Sequence, residues 1–271
     1  MSARPSNTFV SPPHSVTVQG AYEPFELQVA RNQIMGHYAL FKFGINGAVG
    51  TSAETVWAEG GTYVYPAAAT VMKISSSSAD DAAAGTGART ISITGLDANY
   101  NEISETVTLN GQTEVNTVNS YLRIFSMIVA TAGSGATAAG TIYAGTGTVT
   151  SGVPATVYGM ITLTANQTQM AFWTVPAGYT LYLNGVYYSS ANSTANASTN
   201  FQLIQRPLGG VFRIQSSTRT PGNGDFVLDL HTPIAFPEKT DIEIRAVASA
   251  GSSNVSAEFE GIYIKNDSQA A

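Results

Sequence analysis

Residues 95–111 read GLDANYNEISETVTLNG, and the fold turns on whether their acidic and amide side chains make a site or the wet face of a strand. The spacing Asp97-x-Asn99-x-Asn101 matches the opening of a calcium loop. A loop of that kind also needs glycine at its sixth position and a bidentate glutamate at its twelfth. Glu102 and Thr108 stand there instead. From Glu102 onward the chain alternates, with Glu102, Ser104, Thr106 and Thr108 on one face and Ile103, Glu105, Val107 and Leu109 on the other. That is the period of a half-buried strand. A turn at 97–100 and a tight Asn110-Gly111 turn frame it as a hairpin. Glu105 breaks the apolar face, which puts it near an edge or a subunit contact.

The same alternation recurs at 90–94 (TISIT), 180–183 (TLYL) and 241–245 (DIEIR). Turn signals separate such runs, among them Pro176-Ala177-Gly178, Pro207-Leu208-Gly209-Gly210 and Pro221-Gly222-Asn223-Gly224. Short strands with frequent Gly and Pro turns predict an all-β chain of antiparallel sandwiches. A length of 271 residues suits two modest domains. The stretch 130–159 is rich in Gly, Ala and Thr, and the aromatic FWTV begins at 172. The junction is therefore expected near 155–165, giving a β-sandwich over 36–158 and a jelly-roll-like sandwich over 159–271. Phe201, Phe212, Phe226, Phe236 and Phe259 are core candidates of the second. Pro5, Pro12, Pro13 and Pro24 punctuate the start, so residues 1–35 read as an extended arm. Residues 26–38 fit a short helix or a strand equally well.

Charged residues make up 11% of the chain, with a net charge of −6, against about 25% charged in an average soluble domain. Nothing here attracts nucleic acid directly. There is no cysteine, so packing alone must hold the fold. No apolar run is long enough to span a bilayer, and the first residues lack the apolar core of a signal peptide. Synthesis and folding in the cytosol are expected.

From Ile124 through Gln205 there is no Asp, Glu, Lys, Arg, His or Cys, which removes the usual acids, bases and ligands from nearly a third of the chain. The expectation is a protein that is not an enzyme, with no catalytic residue, no cofactor and no bound metal. Asp80-Asp81 are adjacent and point to opposite sides of an extended chain, so a solvated loop is expected there, with an accidental cation site among Asp80, Asp81 and Glu102 as the alternative. Gly133-Ser134-Gly135-Ala136-Thr137-Ala138 satisfies GxGxxA, but no helix and no downstream acid follow it. His14, His37 and His231 stand apart. A polysaccharide depolymerase would have to draw on Asp225, Asp229, Glu238, Asp241 and Glu243. Asp241 and Glu243 share a strand face, and a cross-strand pair with Arg245 is the simpler use.

Trp173, Tyr179, Tyr182, Tyr187 and Tyr188 gather around one expected hairpin. Adjacent tyrosines in a strand put one ring on each face, so Tyr187 and Tyr188 are interface candidates. In the arm, Phe9, Val10, Val16, Val18, Tyr22 and Phe25 are the others.

SSSSADDAAAGTGARTISITGLDANYNEISETVTLNG at 75–111, VNSYLR at 118–123, WTVPAGYTLYL, RPLGGVFRI and AFPEKTDIEI together resemble a family of tailed-bacteriophage virion proteins. The resemblance covers most of the chain and implies a structural part of the virion, assembled in the host cytoplasm, with no catalytic motif to map. The leading expectation is a capsid decoration or cement protein that binds the major capsid protein or other virion proteins. It would be a homo-oligomer, a trimer by preference, with residues 1–33 reaching onto the lattice or a neighbouring subunit. The alternative is a tail fibre, adaptor or receptor-binding component that contacts host polysaccharide through the aromatic hairpin.

Overall fold

The computed structural model describes residues 23–266. Eight strands build one sandwich. β1 (His37–Val49), β16 (Ser253–Lys265), β11 (Tyr179–Asn192) and β14 (Gly224–Phe236) lie side by side in that order. The facing sheet runs β10 (Phe172–Thr174), β15 (Asp241–Ala248), β12 (Ser198–Arg206) and β13 (Arg213–Pro221), with the short β2 (Glu54–Thr55) added on β15. Counted along the chain without β2 and the inserted strands, these orders are 1-8-3-6 and 2-7-4-5. That is the connectivity of a jelly roll, two interlocked Greek keys. Alternating side chains of both sheets meet in its core, where Leu181, Val186, Tyr188, Phe201, Phe236, Ile244 and Phe259 are buried. Of the expected core aromatics, Phe226 is only partly buried at the margin of this cluster. Phe212 lies outside it, against the guanidinium groups of Arg206 and Arg245 at 4.6 and 4.9 Å.

A second sandwich is inserted between the first two long strands of the jelly roll. Its sheets are β6 (Val115–Tyr121), β3 (Thr70–Ser76), β8 (Ile142–Thr150) and β9 (Val153–Ile161) in that order, facing β5 (Glu102–Thr108), β4 (Ala88–Leu96) and β7 (Arg123–Ala132). Met72, Ile74, Ile91, Ile93, Ile124, Met127 and Ile142 fill the space between them. The domain boundaries read from the sequence therefore need correction. β1 and β2 fall in the stretch assigned to the first sandwich, yet β1 pairs with β16 from His37↔Ile264 to Val49↔Ser253. Strand β9 also carries the insert past 158, to Ile161. The pattern of β1 specifies a half-buried strand, and alternation alone does not name a partner at the other end of the chain. Gly44 marks where the insert leaves and returns beneath β1. A Cβ there would sit 2.2 Å from the Val56 carbonyl oxygen and 2.4 Å from the Ala171 nitrogen.

The arm is not extended throughout. Phe25–Ala30 form α1, with Pro24 in front of it and Glu26 in its first turn, a placement that suits proline and the positive end of a helix.

The stretch 95–111 is structural. Asp97 Oδ1 accepts the N–H groups of Asn99 and Asn101 at 2.8 and 2.9 Å, closing the β4–β5 turn that starts at the pair Leu96↔Glu102. Burial opposes the charge, but these bonds and one from the Asn101 side-chain amide together outweigh it and hold the Asp97 carboxyl below its ordinary range. Asn110-Gly111, however, is not a hairpin turn. β5 and β6 belong to facing sheets, and Gly111 instead bonds across to Ser76 N–H and the Asp81 carbonyl at 2.9 and 2.7 Å. Glu105 links the two edges this leaves, since its carboxylate accepts Val118 N–H at 2.8 Å and Asn119 N–H at 3.0 Å.

Asp81 corrects a second expectation. It is fully buried rather than solvated. Its carboxylate accepts Ser76 Oγ–H at 2.6 Å and the N–H groups of Ala88, Ala139 and Gly140 at 2.7, 2.8 and 2.9 Å. It thereby pins the ends of β3 and β4 to the loop before β8. Asp81→Ala would leave four donors stranded in a dry site, and the expected loss is roughly 3 kcal/mol or more. Guanidinium unfolding measures it, with Asp81→Asn expected to lose less because one oxygen acceptor survives.

Candidate interaction surfaces

The two crossings between the sandwiches run side by side, with Ala171 N–H on the Val56 carbonyl at 2.9 Å and Ala58 N–H on the Gln169 carbonyl at 3.1 Å. Around them Trp57, Tyr63 and Phe172 are buried, and Tyr63 meets Phe172 at 4.1 Å and Tyr65 edge-on at 4.8 Å. β15 directs Ile242, Ile244 and Ala246 into the jelly-roll core. Period two then turns Asp241 and Glu243 the other way, toward the crossings.

Asp241 is 4% exposed and accepts five hydrogen bonds. Arg123, at the start of β7 in the insert, reaches it at 3.0 and 3.2 Å. Arg206, at the end of β12, does so at 3.0 and 2.6 Å, and Thr174 Oγ1–H at 2.6 Å. Arg123 also donates to the carbonyls of Pro66 and Leu122 and lies 4.9 Å from the Tyr65 ring. Burial opposes the Arg123 charge, but the hydrogen bonds and charge of Asp241 outweigh it and raise the guanidinium pKa. Glu243 takes Thr55 Oγ1–H at 2.5 Å, Tyr65 O–H at 3.1 Å and Arg245 Nε–H at 2.7 Å. Its partner Arg245 is two residues along the same strand, so the expected cross-strand pair is an in-strand one. Both carboxylates are occupied as acceptors of several hydrogen bonds. Among the described residues no three His, Cys, Asp or Glu side chains are placed to hold a metal ion.

A groove of ≈ 270 Å³ opens beside this junction. Four consecutive residues of β1, Leu40 to Phe43, line one wall, and Phe125, Ser126 and Ile128 of β7 line the other. Consecutive residues share one wall only where the groove follows the edge of a strand, because facing side chains alternate. Phe41 is 56% exposed and Ile128 47%. Lys42 is the one charged side chain in the lining, and its Nζ donates to the Phe125 carbonyl at 2.6 Å. Burial pushes its amine down to about 8.

The aromatic residues are not on one hairpin, since β10 and β11 belong to facing sheets. Trp173 is buried against Phe125 of the insert at 5.3 Å. Tyr188 is 2% exposed and stacks on Phe201 at 4.7 Å, so it is withdrawn as an interface residue. Tyr187, on the opposite face, donates its O–H to Glu260 at 2.9 Å, and that bond pushes its phenol up to about 12. Beside it lie Val227, 57% exposed, and the carboxylates Asp229 and Glu258. Phe25 is exposed on α1, edge-on to His37 at 5.9 Å. Phe9, Val10, Val16, Val18 and Tyr22 lie outside the described residues. The groove was missed in the sequence. Its only signal was the apolar run LFKF at 40–43, in which phenylalanines occupy the face opposite the core.

No family model and no curated protein matches the chain. Among solved structures it is similar to the structure of infectious bursal disease virus Gx strain, with 8% identity, 84% of this chain and 72% of that one covered, and a TM-score of 0.27. It is also similar to the VP2 subviral particle of the same virus, with 10% identity, 90% and 78% coverage, and a TM-score of 0.21. Overlaps so slight carry nothing over to this chain.

Asp241→Ala would leave two guanidinium groups facing each other without an anion, and a loss of about 3–5 kcal/mol is expected. Arg123→Met, which leaves Asp241 with Arg206, should cost less. Urea unfolding of both variants checks the order. Lys42 supplies a pH test. Its folded pKa lies below the ordinary 10.5, so between about pH 8 and 10 the unfolded chain binds more protons and stability rises with pH. Thermal midpoints of the wild type relative to Lys42→Met should therefore climb across that window. A constant difference would contradict it.

Proposed function

We propose that the protein is a non-enzymatic structural component of a virion, and within the particle a capsid decoration protein that coats the lattice of the major capsid protein. The observation that carries this reading is the jelly-roll connectivity of the eight strands of the larger sandwich. That architecture recurs in viral capsid and lectin domains. The buried carboxylates support it from the other side, because Asp81, Asp241 and Glu243 are all occupied as structural acceptors. A surface with few charges and several apolar side chains in the open suits repeated contact with a symmetric neighbour, and self-association, a trimer first, belongs to the same reading.

Residues 1–22 and the exposed apolar groups at their root, Phe25 and Leu27 at 41% and 47% exposure, are the proposed grip. A chain lacking 1–22 should still fold into both sandwiches and fail to coat capsids in a co-sedimentation assay. Normal coating would refute the assignment. The amount of this protein in purified virions, measured by quantitative mass spectrometry, should be close to that of the major capsid protein.

A second reading is a tail or receptor-binding component that holds polysaccharide. It rests on Tyr187, a half-exposed ring beside Asp225 and Glu258 over a recess of ≈ 150 Å³, since aromatic faces and carboxylates together suit sugars. Glycan binding lost in Tyr187→Ala, with a copy number one to two orders of magnitude below the capsid protein, would favour it.

A further inference from the structure

β1 is an end strand of the jelly-roll sheet, and among the described residues no backbone hydrogen bond reaches its free edge between Tyr38 and Ile45. β7, across the groove, is also an end strand of its sheet, but residues 166–168 close its edge, with Val129 N–H on the Asn166 carbonyl at 2.9 Å and Thr168 N–H on the Met127 carbonyl at 3.0 Å. The free edge of β1 beside a partly apolar groove forms a template for one more strand. Lys42 points the same way, because its amine carries three N–H bonds and, among the described residues, a single hydrogen-bond acceptor, the Phe125 carbonyl, is found for it.

The chain supplies an occupant of matching pattern and reach. Residues 15–19 read SVTVQ, an alternating run that Pro12 and Pro13 precede. Proline donates no hydrogen bond to a ladder, so a strand here would begin after the pair. The chain enters the described region at Glu23, whose carbonyl is held by Gln28 Nε2 at 2.8 Å and whose carboxylate pairs with Arg31. The start of α1 lies beside the start of β1, where Phe25 meets His37. A segment running back from that corner along β1 is antiparallel to it. The alternation of the run is compatible with a register that sets Val18 opposite Lys42 and Val16 opposite Gly44. Directly opposed residues share a face. Leu40 packs on the jelly-roll core and Gly44 is buried, whereas Phe41 is exposed, so this register turns both valines inward and leaves Thr17 and Gln19 outside. A slip of one residue would reverse the pattern.

We infer that residues 15–19 of the same chain add to the free edge of β1 as a fifth, antiparallel strand of the jelly-roll sheet, with Val16 and Val18 in the groove. Docking within one chain is favoured by the short tether, which fixes a high effective concentration. The strand also deepens the proposed function without resting on it, because it would fix the point from which residues 1–14, with Phe9 and Val10, leave the body toward a partner.

Hydrogen–deuterium exchange on the full chain tests this with no capsid present. Four proteins are compared: wild type, a chain lacking 1–22, V16D/V18D, and T17D. Amides of β1 between 38 and 45 should exchange about ten-fold or more slowly in the wild type than in the truncated chain or V16D/V18D. T17D should behave as wild type, and protection should survive an about hundred-fold dilution. Equal exchange in all four proteins would overturn the inference, as would loss of protection in T17D with none in V16D/V18D. Protection that fades on dilution together with a fall in mass by sedimentation would give the groove to a second copy and overturn docking within the chain.

Discussion

The carboxylate of Asp241 is the point on which both sandwiches close. It stands at the start of β15 in the jelly roll and receives Arg123 from the insert, Arg206 from β12 and Thr174 from β10. Desolvating a carboxylate and a guanidinium costs several kcal/mol each, and only dense hydrogen bonding returns that loss. Here the donors are dense: five bonds converge on two oxygens, and Arg123 spends its other N–H groups on the Pro66 and Leu122 carbonyls. A buried pair made in this way fixes geometry more than it adds stability, since its bonds form only when all four segments are in register.

Interrupting a jelly roll after its first strand creates a problem that this cluster answers. The chain must leave the sheet, build a complete second sandwich and return to the neighbouring position. The crossings run antiparallel and pair with each other, so their backbone groups stay satisfied. Tyr63, Tyr65, Trp57 and Phe172 cover them, with Tyr63 edge-on to Trp57 and Tyr65 and tilted against Phe172. Burial among these rings raises the phenol of Tyr65 well above its ordinary value, with the negative charge of Glu243 adding to it. The side chain therefore stays a neutral donor to Glu243. Phe125 of β7 then enters the jelly-roll cluster beside Trp173, which makes the joint a shared core.

In a chain with 18 acidic residues, several are used as structural joints. Asp81 holds three backbone N–H groups of the insert, Glu105 closes the gap between facing sheets, and Glu243 anchors the crossing. Disulfides are absent, and these carboxylates serve as its local cross-links, each drawing together segments far apart in the chain. What remains at the surface is weakly charged and in places apolar. Among the described residues the free edge of β1 is the part of that surface with a direction and a shape.

Alternation and turn chemistry settled the local structure of this protein from its sequence. The strand at 102–108, the turn held by Asp97, the placement of Tyr187 and Tyr188 on opposite faces and the all-β character of the chain follow from period two and from where Gly, Pro, Asn and Asp fall. Pairing was beyond that reach. Nothing in HYALFKFGINGAV distinguishes β16 from β3 as a neighbour, and Asn110-Gly111 looks the same whether the chain turns back or crosses to the facing sheet. Asp81 read as a solvated charge and Asp241 as a candidate for a cross-strand pair with Arg245, because a carboxylate is buried only when distant donors converge on it. The groove beside β1 exists only because two sheets end side by side. The sequence by itself determined which residues face inward along each strand, a property of the local backbone period. The tertiary structure alone decided which strands meet, which charges are dry and which edge stays open, because each of these depends on contacts between residues that the chain places far apart.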